Sequence, residues 1–302
     1  MNKKTLLACL AIGIMALGAC QNQGKKTNEE KMDIAGKTWT DGLYFFTATK
    51  CDSGFNCEGG STHEGGIMFR LVPTDEGYVT AKGNNGLAKN DSNYVEAYCF
   101  TGEEGDKFLL KELNEKTVFV QYNKDNKAVA VYVPTSDIHQ TMNADVLRYL
   151  FSGEYTKEDG TKVVFDATKA EVTGLNAEKT ALELIDSYDL PSGSFKLGNE
   201  AFNVQRMDDG LTLQPIKQSK EDEEVWDDAG KPIVLKRVQG SEDQTGNVSK
   251  DVLTTSQLSL FSKGERQKML ESLKAKGDKA SEIEAINLQL LEVLVANDAD
   301  SE

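Results

Sequence analysis

The residues of this chain whose type and spacing most directly suggest chemistry are its five cysteines. They are Cys9, Cys20, Cys51, Cys57 and Cys99. A thiolate can be acylated, can form a disulfide, or can bind a soft metal ion such as zinc or copper. Disulfides persist mainly in oxidising compartments, so the fate of each cysteine depends on where the chain resides.

The first twenty residues resemble the signal peptide of bacterial lipoproteins. Lys3 and Lys4 precede an apolar stretch, and the motif Leu17-Gly18-Ala19-Cys20 resembles a lipobox. The apolar residues 5–17 are too few for a membrane-spanning helix, which needs roughly 20. The resemblance implies that residues 1–19 are removed and that Cys20 is lipidated, which anchors the protein to the outer membrane. A secretory peptide cut without lipidation would give the cysteine at this position no role.

The segment that follows is polar and charged, and residues 20–36 are predicted to be a flexible tether. The formal net charge of the whole chain is -15 at pH 7. An acidic surface repels phosphate backbones and anionic lipid, so nucleic-acid binding is not expected and membrane contact is assigned to the lipid anchor. The sequence leaves open whether the protein faces the periplasm or the cell surface.

Residues 37–135 are predicted to form a first β domain. Short runs rich in Val, Tyr, Phe, Ile and Thr alternate with turn residues, as in Asp75-Glu76-Gly77. The connections are too short for crossover helices, which favours antiparallel pairing. The predicted strands are residues 38–49, 66–72, 78–82, 94–101, 107–113, 117–122 and 128–133.

A helical linker is predicted for residues 136–152, with a helix over residues 143–151 that is capped by Asn143. Residues 153–240 are predicted to form a second β domain, because short apolar runs and turn signals resume there. Both β regions are expected to be small antiparallel barrels or sandwiches. The predicted strands of the second are residues 153–156, 162–166, 171–173, 181–186, 194–197, 202–207, 211–215 and 233–238.

Residues 241–302 are predicted to form a C-terminal α-helical region. Ser262 with Glu265, and Ser281 with Glu284, match the capping box that begins a helix, and Gly277 separates the two predicted helices. The second helix carries an apolar stripe, which either packs on the chain's own β domain or contacts an envelope protein. The stripe consists of Ile283, Ile286, Leu290, Val293 and Leu294.

After removal of Cys9 and lipidation of Cys20, three cysteines face an oxidising envelope. Closeness in sequence favours a disulfide between Cys51 and Cys57, which leaves Cys99 as a small buried apolar residue. The alternative is a metal site formed by Cys51, Cys57 and His63, with Cys99 as a possible fourth ligand. No cofactor is predicted from any other motif.

Residues 44–82 contain a strand, a cysteine pair, a Gly-rich stretch and a hairpin. This order resembles the NlpE family of copper-responsive lipoproteins, whose β-barrel domain carries a Cys-x-x-Cys motif; here five residues separate Cys51 from Cys57. The resemblance implies a role in sensing metal or stress. The second β region, with residues 211–215 and 230–237, is generally similar to lipocalins.

No catalytic residues are predicted. His63 and His139 lie in no recognisable nucleophile or zinc-protease motif, and the acidic residues 221–224 near Trp226 are expected to form a solvated hairpin tip rather than a calcium site. The sequence therefore predicts a mainly β, lipid-anchored envelope protein that binds a ligand or partner or acts in assembly. The alternatives are a metal or redox stress sensor and a carboxylate-based glycan hydrolase.

Overall fold

The N-terminal strands close into an eight-stranded antiparallel barrel, here called barrel 1. The computed structural model describes residues 34–61, 66–81, 105–151, 153–175, 180–186, 192–220, 226–238 and 248–300. Pairing of the last strand with the first closes the barrel, with Trp39 opposite Pro134. The strands are β1 Thr38–Thr40, β2 Tyr44–Cys51, β3 Gly54–Ser61, β4 Gly66–Pro73, β5 Tyr78–Thr80, β6 Lys107–Leu113, β7 Lys116–Tyr122 and β8 Ala128–Thr135.

Aromatic side chains fill the described interior of barrel 1. Phe119 lies at the centre of this cluster, with its ring centroid 5.3 Å from that of Trp39 and 5.2 Å from that of Phe108. Phe46 contacts Phe119 and Tyr132 from the opposite wall. Such packing at van der Waals distance gives a small barrel a solid core.

A helical linker joins barrel 1 to the next sheet. Helix α1, Ile138–Asp145, continues into a π-helical segment, Val146–Phe151. The prediction that Asn143 caps this helix is wrong, because Asp137 is the N-cap and its carboxylate accepts a hydrogen bond from the Gln140 amide.

The second sheet closes into another eight-stranded ring, here called barrel 2, through pairing of β14 with β15 and of β17 with β9. The ring of Phe151, at the end of the linker, reaches its core and lies 4.5 Å from that of Phe195. The short strand β16 pairs with β15 outside the ring. The strands are β9 Gly153–Thr156, β10 Lys162–Asp166, β11 Glu171–Thr173, β12 Thr180–Asp186, β13 Ser192–Leu197, β14 Glu200–Met207, β15 Gly210–Gln218, β16 Trp226–Asp228 and β17 Ile233–Arg237.

The C-terminal region is helical, as predicted. It contains α2 Thr255–Ser259, α3 Lys263–Lys274, a 3-10 turn Gly277–Lys279 and α4 Glu282–Asp300. Both predicted capping boxes are confirmed: Ser262 and Glu265 exchange hydrogen bonds at the start of α3, and Ser281 and Glu284 do so at the start of α4. Helix α2 was not predicted.

Helix α4 packs on the outer face of barrel 1. The Oε1 atom of Gln289 accepts a hydrogen bond from the amide of Ala128 on β8, and Glu282 forms an ion pair with Lys111 on β6. Val118 and Val120 face outward from β7 but are fully buried, and they belong to the same apolar core as Leu290. Helices therefore cover one side of barrel 1, which explains why β7 is apolar on both faces.

The apolar stripe of α4 is largely used within the chain itself. Ile283, Ile286 and Leu290 are buried, whereas Val293 is exposed. The predicted mainly β fold, with two antiparallel barrels and a C-terminal helical region, is confirmed. None of the described helices has the length and apolar character that crossing a membrane requires.

Candidate binding groove and buried polar clusters

The predicted disulfide between Cys51 and Cys57 is absent, and both residues are free thiols. Cys51 pairs with Gly54 at the tip of the β2–β3 hairpin, whereas Cys57 pairs with Ala48. The two cysteines are thus offset by three residues along the strands, or about 10 Å, and point to opposite faces of the sheet. A disulfide needs Cα atoms about 4.4–6.8 Å apart, so this hairpin holds the sulfurs too far from each other.

The other residues predicted for lipidation and metal binding, Cys20, His63 and Cys99, lie outside the described residues. The acidic residues 221–224 also lie outside them. Within the described ranges, no three His, Cys, Asp or Glu side chains are placed to hold a metal ion. Cys57 is fully buried, and burial raises the pKa of its thiol, which keeps it protonated and unreactive at neutral pH.

An open groove lies on the outside of barrel 1, where the β4–β5 turn leans against β6. The Thr74 amide donates to the Gly77 carbonyl, and the Gly77 amide donates to Thr74 Oγ1, which fixes the turn. Gly77 is needed at this position because an added Cβ would come within 2.6 Å of the Phe108 carbonyl oxygen. The close approach of turn and strand forms the wall of the groove.

The groove has a volume of about 290 Å³ and is open to solvent. Its apolar floor includes Val79 and Leu109, and its rim carries Asp75, Glu76 and Lys107. Thr74 and Tyr78 complete the lining. This size lies just below the roughly 300–1,000 Å³ of most small-molecule sites, so the groove suits one long side chain or a short peptide segment.

The cationic and the anionic residues on the rim of the groove differ in their hydrogen bonding. The Lys107 ammonium donates to Asn126 Oδ1 in the β7–β8 turn, at 3.1 Å. Within the described part of the chain, the carboxylates of Asp75 and Glu76 take part in neither a hydrogen bond nor an ion pair, and both residues are exposed. The groove therefore combines an apolar floor with two solvated negative charges.

A buried polar chain lies behind the groove, on the inner side of β5 and β6. Thr80 Oγ1 accepts from the Asp106 amide, and the Asp106 carboxylate accepts from Gln121 Nε2 at 2.9 Å. Gln121 Oε1 in turn accepts from the Tyr132 hydroxyl at 3.2 Å. Each of these four residues is at most 7% exposed, so the hydrogen bonds replace lost contacts with water. The network holds β5, β6, β7 and β8 together and gives the groove a rigid base.

A second buried carboxyl group, Asp41, lies in the β1–β2 turn. Its Oδ1 accepts hydrogen bonds from the amides of Leu43 and Tyr44. Burial raises the pKa of Asp41 to about 6, despite these hydrogen bonds. The same turn packs on helix α2, because a Cβ at Gly42 would touch Ser256.

Asp145, at the end of α1, contacts the same helix. Its Oδ1 accepts from Gln257 Nε2 of α2 at 2.9 Å, and burial raises its pKa to about 6. Asp41 and Asp145 thus have the raised pKa of a general acid. Both are engaged in structural hydrogen bonds beside α2, and neither lines the groove.

The strongest buried ion cluster joins barrel 2 to α3. Arg206 donates through Nε and Nη2 to the Glu265 carboxylate, and Arg237 donates to the same group at 2.9 Å. The Arg206 guanidinium also lies 4.7 Å from the Phe261 ring centroid. Burial alone would raise the pKa of Glu265, but the hydrogen bonds and charge of Arg206, with help from Arg237, lower it. The cluster joins barrel 2 to α3 through charge-assisted hydrogen bonds between buried groups, which gives it a structural role.

Comparisons with protein-family models, with curated proteins and with solved structures gave no match to this chain. Sequence reasoning identified the turn at Asp75-Glu76-Gly77 but not the groove, because β6 follows β5 only after residues 81–106. The signal that points to close packing is Gly77 itself, a glycine directly before the first residue of β5.

Proposed function

We propose that this chain is a lipid-anchored protein of the bacterial outer membrane that binds a ligand or partner of the cell envelope through barrel 1. The lipobox-like motif Leu17-Gly18-Ala19-Cys20 supports the anchor, and the polar residues 20–36 supply a tether that lets the folded body reach a partner.

The binding function is inferred mainly from the groove beside the β4–β5 turn. It is a concave surface with an apolar floor and charged rim, on a barrel whose described interior is filled by aromatic side chains. A filled barrel binds at its surface, in contrast to a hollow barrel that encloses its ligand. The polar chain from Thr80 to Tyr132 keeps the walls of the groove in fixed positions.

The rigid connection of the two barrels suits a binding or assembly role. Helix α4 is bonded to β8 through Gln289, and α3 is bonded to barrel 2 through Glu265. A body held in this way pays little conformational entropy when it binds.

Two measurements test this function. Mass spectrometry of the protein from its native host is expected to find Cys20 as the lipidated first residue; an unmodified or uncut N-terminus would contradict the anchor.

A photo-crosslinking residue at Glu76, on the groove rim, is expected to capture a specific envelope component in intact cells. The matched control carries the same residue at Glu158, in an exposed turn of barrel 2. Equal capture from both positions, or none from Glu76, would contradict binding at the groove.

A further inference from the structure

We propose that the groove of barrel 1 receives a lysine or arginine side chain from a partner polypeptide. This inference rests on the proposed binding function, whose partner it specifies by chemistry. It is drawn from the volume and lining of the groove, from the charges on its rim and from the charge of the whole chain.

The lining of the groove matches a long side chain with a charged end. Val79 and Leu109 are partly exposed and provide aliphatic contact for a methylene stem, while Asp75 and Glu76 stand at the rim. Lysine and arginine bury their stems along apolar surface and keep the charged end in water, which is the arrangement this groove offers. An aromatic or purely aliphatic guest would leave both carboxylates without a partner.

The rim charges favour a cation over an anion. Asp75 and Glu76 have no ion-pair partner among the described residues, whereas the one cation of the rim, Lys107, already donates to Asn126. The formal net charge of -15 adds a long-range attraction for basic partners and repels acidic ones. The complementary surface on the partner is therefore basic.

The groove is also ready to bind without rearrangement. The β4–β5 turn is held by two hydrogen bonds between Thr74 and Gly77, and the adjoining strand pairs with β6 at Tyr78 and Val79. The polar chain that includes Asp106 and Gln121 supports these strands from inside the barrel. A preformed surface loses less entropy on binding than one that must first be ordered.

The test uses the purified protein and a five-residue probe peptide, Gly-Ser-Lys-Ser-Gly with blocked ends, beside the same peptide carrying N-ε-acetyl-lysine. The readout is the change in the methyl NMR signals of Val79 and Leu109 during titration. We expect the lysine peptide to shift both signals and the acetylated peptide to leave them unchanged. We expect the affinity to fall as the salt concentration rises, because exposed charges are screened.

A charge-removing pair of substitutions, Asp75→Asn with Glu76→Gln, is expected to weaken binding of the lysine peptide about threefold to tenfold. The matched control is Glu115→Gln, which removes an exposed acid from the β6–β7 turn, at the end of β6 away from the groove, and should change binding little. The inference is overturned if no shift appears, if acetyl-lysine binds equally well, or if the control weakens binding as much as the groove variant.

These outcomes are separable from the test of the proposed function. Crosslinking from Glu76 with no effect of lysine acetylation would keep the groove as a binding site but remove its preference for a cation. Specific capture at Glu76 together with the expected peptide shifts would support both conclusions.

Discussion

Arg206 on β14 and Glu265 on α3 form a buried two-point ion pair, with donor to acceptor distances of 2.6 and 2.8 Å. The two residues are 59 positions apart, so this contact fixes the helical region against barrel 2 over a long stretch of chain. Arg237 shares the same carboxylate. Removal of the Glu265 carboxylate would leave the buried Arg206 guanidinium and the partly buried Arg237 guanidinium without the negative charge that balances them.

Glu265→Gln is therefore expected to lower the free energy of unfolding by about 3–5 kcal/mol, the usual cost of breaking a buried ion pair from one side. Urea denaturation of the purified variant measures this change. The control is Glu154→Gln, because Glu154 forms an exposed pair with Lys162 that is expected to contribute less than about 1 kcal/mol. Equal effects of the two substitutions would show that the Arg206 pair contributes no special stability.

The contribution of Asp41 to the stability of the protein is expected to fall as the pH rises from about 4 to about 7. The folded pKa of Asp41 is about 6, above the ordinary 3.8 of the unfolded chain, because burial disfavours the charged form. Folding therefore gains from the protonated group at low pH, and this gain is lost as the pH rises through 6. The upper limit for this group is about 3 kcal/mol.

Asp41→Asn should flatten that part of the stability profile, since asparagine keeps an acceptor for the Leu43 and Tyr44 amides without titrating. Denaturation measured at several pH values in this range checks it. A slope should remain in the variant, because burial also raises the pKa of Asp145 to about 6. An unchanged slope in Asp41→Asn would mean that Asp41 does not titrate in this range.

Gly264→Ala is expected to destabilise the protein although alanine favours helices. An added Cβ would overlap the carboxylate of Asp208, which accepts a hydrogen bond from Ser262 Oγ at the start of α3. The exposed Asp208 side chain would turn away and lose this hydrogen bond, and a hydrogen bond to a charged group contributes about 1.5–3 kcal/mol, more than the roughly 1 kcal/mol gained in helix propensity. Thermal denaturation reports the difference.

The same substitution in an Asp208→Ala background is expected to have the opposite sign. With the carboxylate removed, only the gain in helix propensity remains. A destabilising effect of equal size in both backgrounds would show that the overlap with Asp208 is not the cause.

Cys51 and Cys57 are expected to differ in reactivity. Cys57 is fully buried and pairs with Ala48 on the inner side of β2 and β3, whereas Cys51 is partly exposed at the hairpin tip. A maleimide should label Cys51 in the native protein and Cys57 only after unfolding. Peptide mapping after oxidation should find no Cys51–Cys57 disulfide, and its presence would contradict the observed hairpin register.

The sequence predicted strands best where apolar residues alternate between plain turn signals. The limits of Lys107–Leu113 and Lys162–Asp166 match the structure. Strand β3 was missed because Gly54, Gly59 and Gly60 are typical of loops. A glycine is required at position 59 of this strand because an added Cβ would overlap the Phe45 carbonyl. This close contact becomes visible only when the partner strand is in place.

The sequence predicts the start of a helix correctly where the true N-terminal capping residue is recognised, as at Ser262 and Ser281. The Thr254–Gln257 capping box of α2 was present in the sequence, but its helix is too short for a detectable apolar period. The start of α1 was misplaced because Asn143 competed with the true cap, Asp137.

The groove and the ion cluster could be predicted only in part. The turn at residues 75–77 follows from local chemistry, but its contact with Leu109 depends on how strands pair across a long connection. The partnership of Arg206 with Glu265 likewise depends on long-range packing, for which a single sequence carries no periodic signal.

The bond between Ala128 on β8 and Gln289 on α4 spans 161 positions. During synthesis or export, the strands of barrel 1 emerge well before helix α4, which shares an apolar core with Val118, Val120 and Val131. Until α4 docks, these valines form a solvent-exposed apolar strip. Chaperones cover surfaces of this kind, which otherwise promote aggregation of incompletely folded chains. Complete burial of the outer face of barrel 1 therefore depends on a segment from the other end of its own polypeptide.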